Sequence, residues 1–340
     1  HLLHKGSPGV QLIIAIRGFS EVGKMKLLAG SSSPMAIMMV VSAGVMWAGS
    51  GLGAQNVYEK SSINAMELTA FRMIMAGIIL LGMTVWEGKF KSSMKAMNEH
   101  KLLWLDVLIY AVVGLMLMHY TYFEAIAYGD APTATVILYS CPAMVVCYQA
   151  IREHHLPSET KMFTTFLAVF GTFLLVTGGN PATLNVSVIC ILLSLLNGVI
   201  YSFASIYPKH LFLKINRTFI LGVGMILGGL VSWAFVPDMN LAAFFEPDII
   251  VGVMWIVLFG TVAAFLLYNT GLMYLSPEQA LITAASEPIA SVLMSWAFFQ
   301  MSFDMIQSLG IMMVVMAIIA PAYTGKHSPF LRVRKQGNTI

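Results

Sequence analysis

Apolar stretches of about 20 residues, the length that crosses a bilayer, follow one another along most of this chain. Ten can be placed, at 35–58, 64–85, 102–128, 132–151, 161–177, 186–207, 218–236, 249–274, 279–299 and 305–323. Inside lipid no water satisfies a backbone N–H or C=O, so a crossing segment is a helix or part of a closed barrel. Barrel strands need only about 9–11 residues, so runs of this length are helices. Turn residues fall between them, as in Asp130-Ala-Pro132, Gly178-Gly-Asn-Pro181, Val236-Pro-Asp238 and Ser276-Pro277. Only 10% of residues are charged and 58% are hydrophobic, against about 25% charged in a soluble domain. The expected fold is therefore an all-α polytopic membrane protein with ten transmembrane helices. Upstream, one short apolar run is interrupted by Arg17. Residues 1–34 are expected to be a cytoplasmic tail, native or read through from upstream sequence, and 325–340 a basic cytoplasmic tail.

Charge placement gives an orientation. With the N-terminus inside, the inner segments hold Lys24 and Lys26, then Lys89, Lys91, Lys95 and Lys101, then Arg152 and Lys161. They also hold Lys209, Lys214 and Arg217, and finally Lys326, Arg332, Arg334 and Lys335. The outer loops hold Lys60 among the acids Glu59, Asp130, Asp238, Glu246, Asp248 and Asp304. Basic residues are retained on the cytoplasmic side. Both termini are expected there, in the plasma membrane, and one missed span would scramble the pattern.

The chain also repeats itself. Tyr122, Tyr128, Pro142 and Lys161 are spaced as Tyr268, Tyr274, Pro288 and Gln307 are. Ser140-Cys141-Pro142 and Ser286-Glu287-Pro288 are then symmetry mates. The expected units are a first repeat over 35–180 and a second over 181–324, five helices each. An odd number of crossings sends the second copy in from the opposite face. The two repeats are thus inverted, an arrangement in which a shared midplane site faces either side in turn.

These pieces carry a resemblance. The first half contains Leu68-Thr-Ala-Phe-Arg72, Tyr122-Phe-Glu-Ala-Ile-Ala-Tyr128, Pro142 and Gly171. The second contains Tyr268-Asn-Thr-Gly-Leu-Met-Tyr274, Glu287-Pro-Ile-Ala290 and Gln307-Ser-Leu-Gly310. Their order and duplication resemble an EamA-type member of the drug/metabolite transporter superfamily. The resemblance implies ten helices in two inverted repeats and transport of small metabolites, often amino acids or amphipathic compounds, commonly as efflux. One departure is that the acid that family carries after its fourth and ninth helices is displaced in Arg152-Glu-His-His155 and missing from Phe299-Gln-Met-Ser302.

Ionisable residues within spans are costly and mark candidate sites. Arg72 is the deepest cation. Glu67 lies roughly 140° round the helix from it, so the two are poor partners. Arg72 is expected in a structural ion pair with a carboxylate on another helix, with an anion contact to substrate as the other reading. Glu124 and Glu287 are the candidate ion-coupling acids. Pro288 frees the carbonyl one turn earlier, that of Ala284, and such groups are tolerated where they line a polar cavity. Glu287 is a proton site or a hydrogen-bonded structural acid, and both readings stay open. A buried carboxylate favours its neutral form, which suits proton exchange. Trp47, Tyr139, Tyr201 and Tyr268 with Asn269 are candidate pocket residues, because rings with polar tips suit amphipathic solutes. Core packing is their alternative.

No enzyme, metal or nucleotide motif occurs. His154-His155 reads as a solvated pair, and Cys141, Cys147 and Cys190 as small core residues. The expected protein is not an enzyme and has no catalytic residue, cofactor, metal or nucleic-acid partner. It is expected to be a secondary transporter of a small amino-acid-like or amphipathic metabolite, with efflux the expected direction. Its partners are that solute, protons and the lipid bilayer, as monomer or homodimer. The alternative is a non-transporting bundle such as a receptor, a scaffold or a scramblase-like protein.

Overall fold

The structure is a computed structural model, which describes residues 34–99, 101–139, 159–180, 186–275, 280, 283–284 and 286–324. Among them there is no strand. Helix occupies the described part of each of the predicted stretches. The chain runs α1 Pro34–Lys60, α2 Ala65–Trp86, α3 Phe90–Glu99, α4 Leu102–Ala127, α5 Ala131–Leu138 and α6 Glu159–Thr177. It continues as α7 Val188–Ile206, α8 Lys209–Phe212, α9 Arg217–Ala234, α10 Ile250–Gly271, α11 Ser286–Phe299 and α12 Met305–Thr324. Six helices, namely α1, α2, α4, α7 extended through α8, α9 and α10, are long and apolar enough to cross a membrane. Shorter apolar stretches lie in α6 and α12, at Met162–Leu175 and Met305–Ala317. The expected proline break at Cys141-Pro142 lies outside the described residues.

Local chemistry starts these helices where they start. Asn64 accepts from the Glu67 N–H at 3.0 Å while Glu67 accepts from the Asn64 N–H at 2.8 Å, a reciprocal cap on α2. Asp130 caps α5 through the Thr133 N–H at 2.8 Å. Asp304 and Gln307 repeat the reciprocal arrangement on α12, at 2.7 and 3.1 Å. The segment 86–101, between the second and third predicted stretches, contains the helix α3. It buries Ser93 and Met97 and leaves Lys91 and Lys95 exposed.

Two of the long helices share an irregularity. α4 is π-helical over Tyr110–Met116 and α10 over Leu258–Ala263. The register that carries Tyr122 to Tyr268 places 110–116 on 256–262, so the two π-segments overlap. π-Turns leave backbone groups off the regular ladder and gather at functional sites.

Packing pairs helices of the first half with helices of the second. α2 lies along α9, and α6 along α12. At the second crossing, a Cβ on Gly171 would stand 2.7 Å from the Gly310 carbonyl, and one on Gly310 2.5 Å from the Gly171 carbonyl. Only glycine on both helices permits that approach. α1 packs on α10 and α11, while α7 packs on α4 and α5. The outward faces carry large exposed apolar side chains such as Ile78, Leu102, Val199, Val251, Leu293 and Trp296. That distribution suits a molecule whose surroundings are lipid rather than water.

Candidate functional site

Where α1, α4, α7, α10 and α11 converge, a set of rings closes round a small gap. Trp47 of α1 stands 5.1 Å from Tyr268, 5.4 Å from Phe265 and 6.0 Å from Tyr201, measured between ring centroids. Tyr201 stands 5.8 Å from Tyr268 and 6.1 Å from Tyr139. Four of the aromatic candidates thus form one cluster. Beside it lies a cavity of about 50 Å³, whose wall includes Trp47, Tyr201, Phe265, Glu287, Arg72 and His119. That volume is well below the roughly 300–1,000 Å³ of a cleft holding a drug-sized ligand. In this conformation the rings fill most of the space.

Glu287 is buried in the first turn of α11. The carbonyl that Pro288 frees is Ala284, as the proline rule requires, and it finds a partner across the molecule. The Tyr139 hydroxyl donates to the Ala284 oxygen at 2.8 Å and lies 3.1 Å from Glu287 Oε2. One hydroxyl proton therefore faces two acceptors. Tyr122 also lies within hydrogen-bonding reach of Glu287. Its hydroxyl is 2.9 Å from Thr135 Oγ1, whose own proton goes to the Ala131 carbonyl at 2.7 Å. The Tyr122 proton is therefore directed to Thr135. Gly44 lets α1 reach this junction, since a Cβ there would collide with Ser286 Oγ.

Arg72 also lines the cavity. Its Nε donates to Thr261 Oγ1, in the π-segment of α10, at 3.0 Å. Its guanidinium carbon sits 4.5 Å from the centre of the Phe123 ring. Among the described residues no ion pair involves Arg72. A hydroxyl and a ring face occupy the place of the expected carboxylate. His119 Nδ1 is 2.6 Å from the Leu115 carbonyl, an obligate acceptor, so Nδ1 carries the proton. Nε2 of the neutral ring is then an acceptor, and it has no partner; the same holds for the buried Ser50 hydroxyl on the cavity wall. Asn197 completes the wall and is held by bonds from its Nδ2 to the Met118 carbonyl and to Thr121 Oγ1 at 2.7 Å.

Tyr139 and Tyr268 belong to the ring cluster but do not line the cavity, and two further candidates stand apart from both. Glu124 is half-buried, within electrostatic reach of Tyr58 and Tyr120, and does not line the cavity. Asn269 turns its Nδ2 to the Phe265 carbonyl at 2.9 Å, also off the cavity wall. Sequence reasoning passed over Ser50, His119, Asn197 and Phe265. One signal was available for two of them: the repeat register carries His119 onto Phe265. These rings stack at 5.0 Å.

Comparison with known proteins now bears on the geometry. The EamA-like transporter family matches residues 34–177 and again residues 188–320. The chain belongs to the EamA-like transporter family. It is thus an EamA-type member of the drug/metabolite transporter superfamily and a multi-pass membrane protein. A Salmonella typhimurium protein named as the uncharacterised inner membrane transporter YicL is 28% identical over 289 residues, spanning 85% of this EamA chain and 95% of that one. A solved crystal structure, 15% identical, superposes with a TM-score of 0.60 over 89% of this chain and 99% of the other. At that identity it speaks for the fold alone.

Proposed function

We propose that this EamA protein is a secondary transporter that moves a small amino-acid-like or amphipathic metabolite outward across the plasma membrane. It works by alternating access between two inverted five-helix repeats, 35–180 and 181–324, with both termini cytoplasmic. The observation that carries this reading is the junction of Tyr139 with Ala284 and Glu287. A residue of the first repeat there holds the broken backbone of the second at the wall of a shared cavity.

Other features support it. If the repeats are inverted copies, α1 corresponds to α7 and α4 to α10, so the contact of α1 with α10 corresponds to that of α7 with α4. The π-segments and the stacked pair His119 and Phe265 fall in matching register about the same centre. A fold whose halves interchange in this way has two equivalent arrangements, one open to each side.

Glu287 is the coupling group in this scheme. When protonated, it donates to the Tyr139 oxygen while Tyr139 donates to Ala284, and every group is satisfied. When it loses the proton, the carboxylate competes with Ala284 for the one tyrosine hydrogen. Either the carboxylate or the freed carbonyl is then left short inside a low-dielectric site, which is costly. Proton loss thereby loosens the junction between the repeats, and proton gain restores it.

The test is uptake into proteoliposomes over a panel of amino acids and amphipathic metabolites, with and without an imposed pH gradient. The reading requires at least one solute to move faster than in protein-free vesicles, with accumulation responding to the gradient. If folded, reconstituted protein moves none of them, a receptor or scaffold role replaces transport.

A further inference from the structure

We propose that Arg72 anchors a carboxylate of the solute that occupies the cavity, making the site selective for small monocarboxylates with an apolar body. The assignment rests on reading the cavity as the transported solute's site. A guanidinium within a span is expensive unless paired, whether the cost is taken from insertion scales or from desolvation. Arg72 is 3% exposed, and among the described residues its partners are one hydroxyl, through Nε, and one ring face. Its remaining N–H donors form a planar fork that matches a carboxylate with two parallel bonds. Glu287, which lines the same cavity, is hydrogen-bonded to Tyr139, and no ion pair joins it to Arg72 among the described residues.

The surroundings are those of a built site. The Ser50 hydroxyl, on a residue 2% exposed, lines the cavity without a partner and is free to donate to a bound anion. His119 Nε2, on a residue 3% exposed, is an unpartnered acceptor that takes an N–H or O–H carried by the same solute. Trp47, Tyr201 and Phe265 offer apolar faces to the rest of the molecule. Arg72 is the lone Lys or Arg on that wall among the described residues. With Glu287 protonated, one guanidinium balances one negative charge, which favours a monocarboxylate over a phosphate ester.

The experiment measures ligand-induced thermal stabilisation of the purified full chain in detergent by hydrocinnamate, hydrocinnamide and phenylpropylamine. These probes share a phenyl body and differ in the head group. Hydrocinnamate is expected to stabilise the wild type, the amide and the amine not. Arg72→Gln is expected to weaken hydrocinnamate at least about tenfold, the loss of one charge-assisted contact. Arg72→Lys keeps the charge without the fork and falls between. Should Arg72→Gln fail to fold, the wild-type selectivity and the lysine variant decide. Equal stabilisation by amide or amine, or none by hydrocinnamate and a wider set of aryl and alkyl monocarboxylates, overturns the anchor. Transport is scored separately in proteoliposomes. Hydrocinnamate bound with no solute moved contradicts the transporter reading and leaves the anchor standing. Amines moved equally well by wild type and Arg72→Gln overturn the anchor and leave transport intact.

Discussion

The Tyr139 hydroxyl, with one proton and two acceptors, ties α11 to the helix that opens the predicted fourth span. Tyr139→Phe leaves the Ala284 carbonyl without its partner. Hydrogen bonds between membrane helices are worth about 0.6 kcal/mol on average and about 1.7 at most, so a loss of roughly 1 kcal/mol is expected in reversible unfolding. A stability equal to wild type would mean that another group satisfies the carbonyl. Glu124→Gln is expected to leave transport near the wild-type level, because Glu124 lies off the cavity wall. Measured uptake reduced tenfold or more would return it to the site. At this scale the sequence was partly legible. Proline's lack of an N–H designates Ala284 from covalent structure alone, and that is where Tyr139 binds. The partner of Arg72 was not legible, since Thr261 is an uncharged residue far along the chain. A search for carboxylates passes it by.

Helices α6 and α12 meet through Gly171 and Gly310, both of which stood out in the sequence as single residues within matching segments. Their mutual contact could not be read there, because spacing along each helix does not say which helix lies opposite. Gly310→Val places a branched side chain against the Gly171 carbonyl, 2.5 Å from where its Cβ would stand. Overpacking of this kind costs about 1–3 kcal/mol, so unfolding should begin at lower temperature. Gly82→Ala is the control: nothing lies within 4 Å of its Cβ, and alanine is the better helix former. A Gly310 variant as stable as the Gly82 variant would contradict the packing described. Apolar length was enough to place the long helices, since lipid leaves the backbone few alternatives. It was blind to α3, whose amphipathic face is short, and to the π-segments, which arise from an added residue per turn and leave no mark in hydropathy.

At the scale of the whole molecule, orientation and the exchange of halves are the claims with most at stake. On a background lacking Cys141, Cys147 and Cys190, cysteine at exposed Asn240 should react with an impermeant thiol reagent from outside. Cysteine at exposed Ser92, beside the lysines of α3, should react from inside alone. The reverse pattern at either position would refute the proposed topology. The repeat was visible in the spacing of tyrosines and prolines, but the place where its copies meet was not, because that needs the rings to be brought together in space. The account depends most on Glu287 as the group that couples a proton to the change of face. The direct measurement is accumulation of a transported solute in proteoliposomes under an imposed pH gradient, by wild type and by Glu287→Gln. Glutamine keeps the size and polarity of the neutral acid and has no proton to release. The account predicts uphill accumulation by the wild type, none by the variant, and downhill exchange by both. Accumulation by the Glu287→Gln protein at the wild-type level would contradict it.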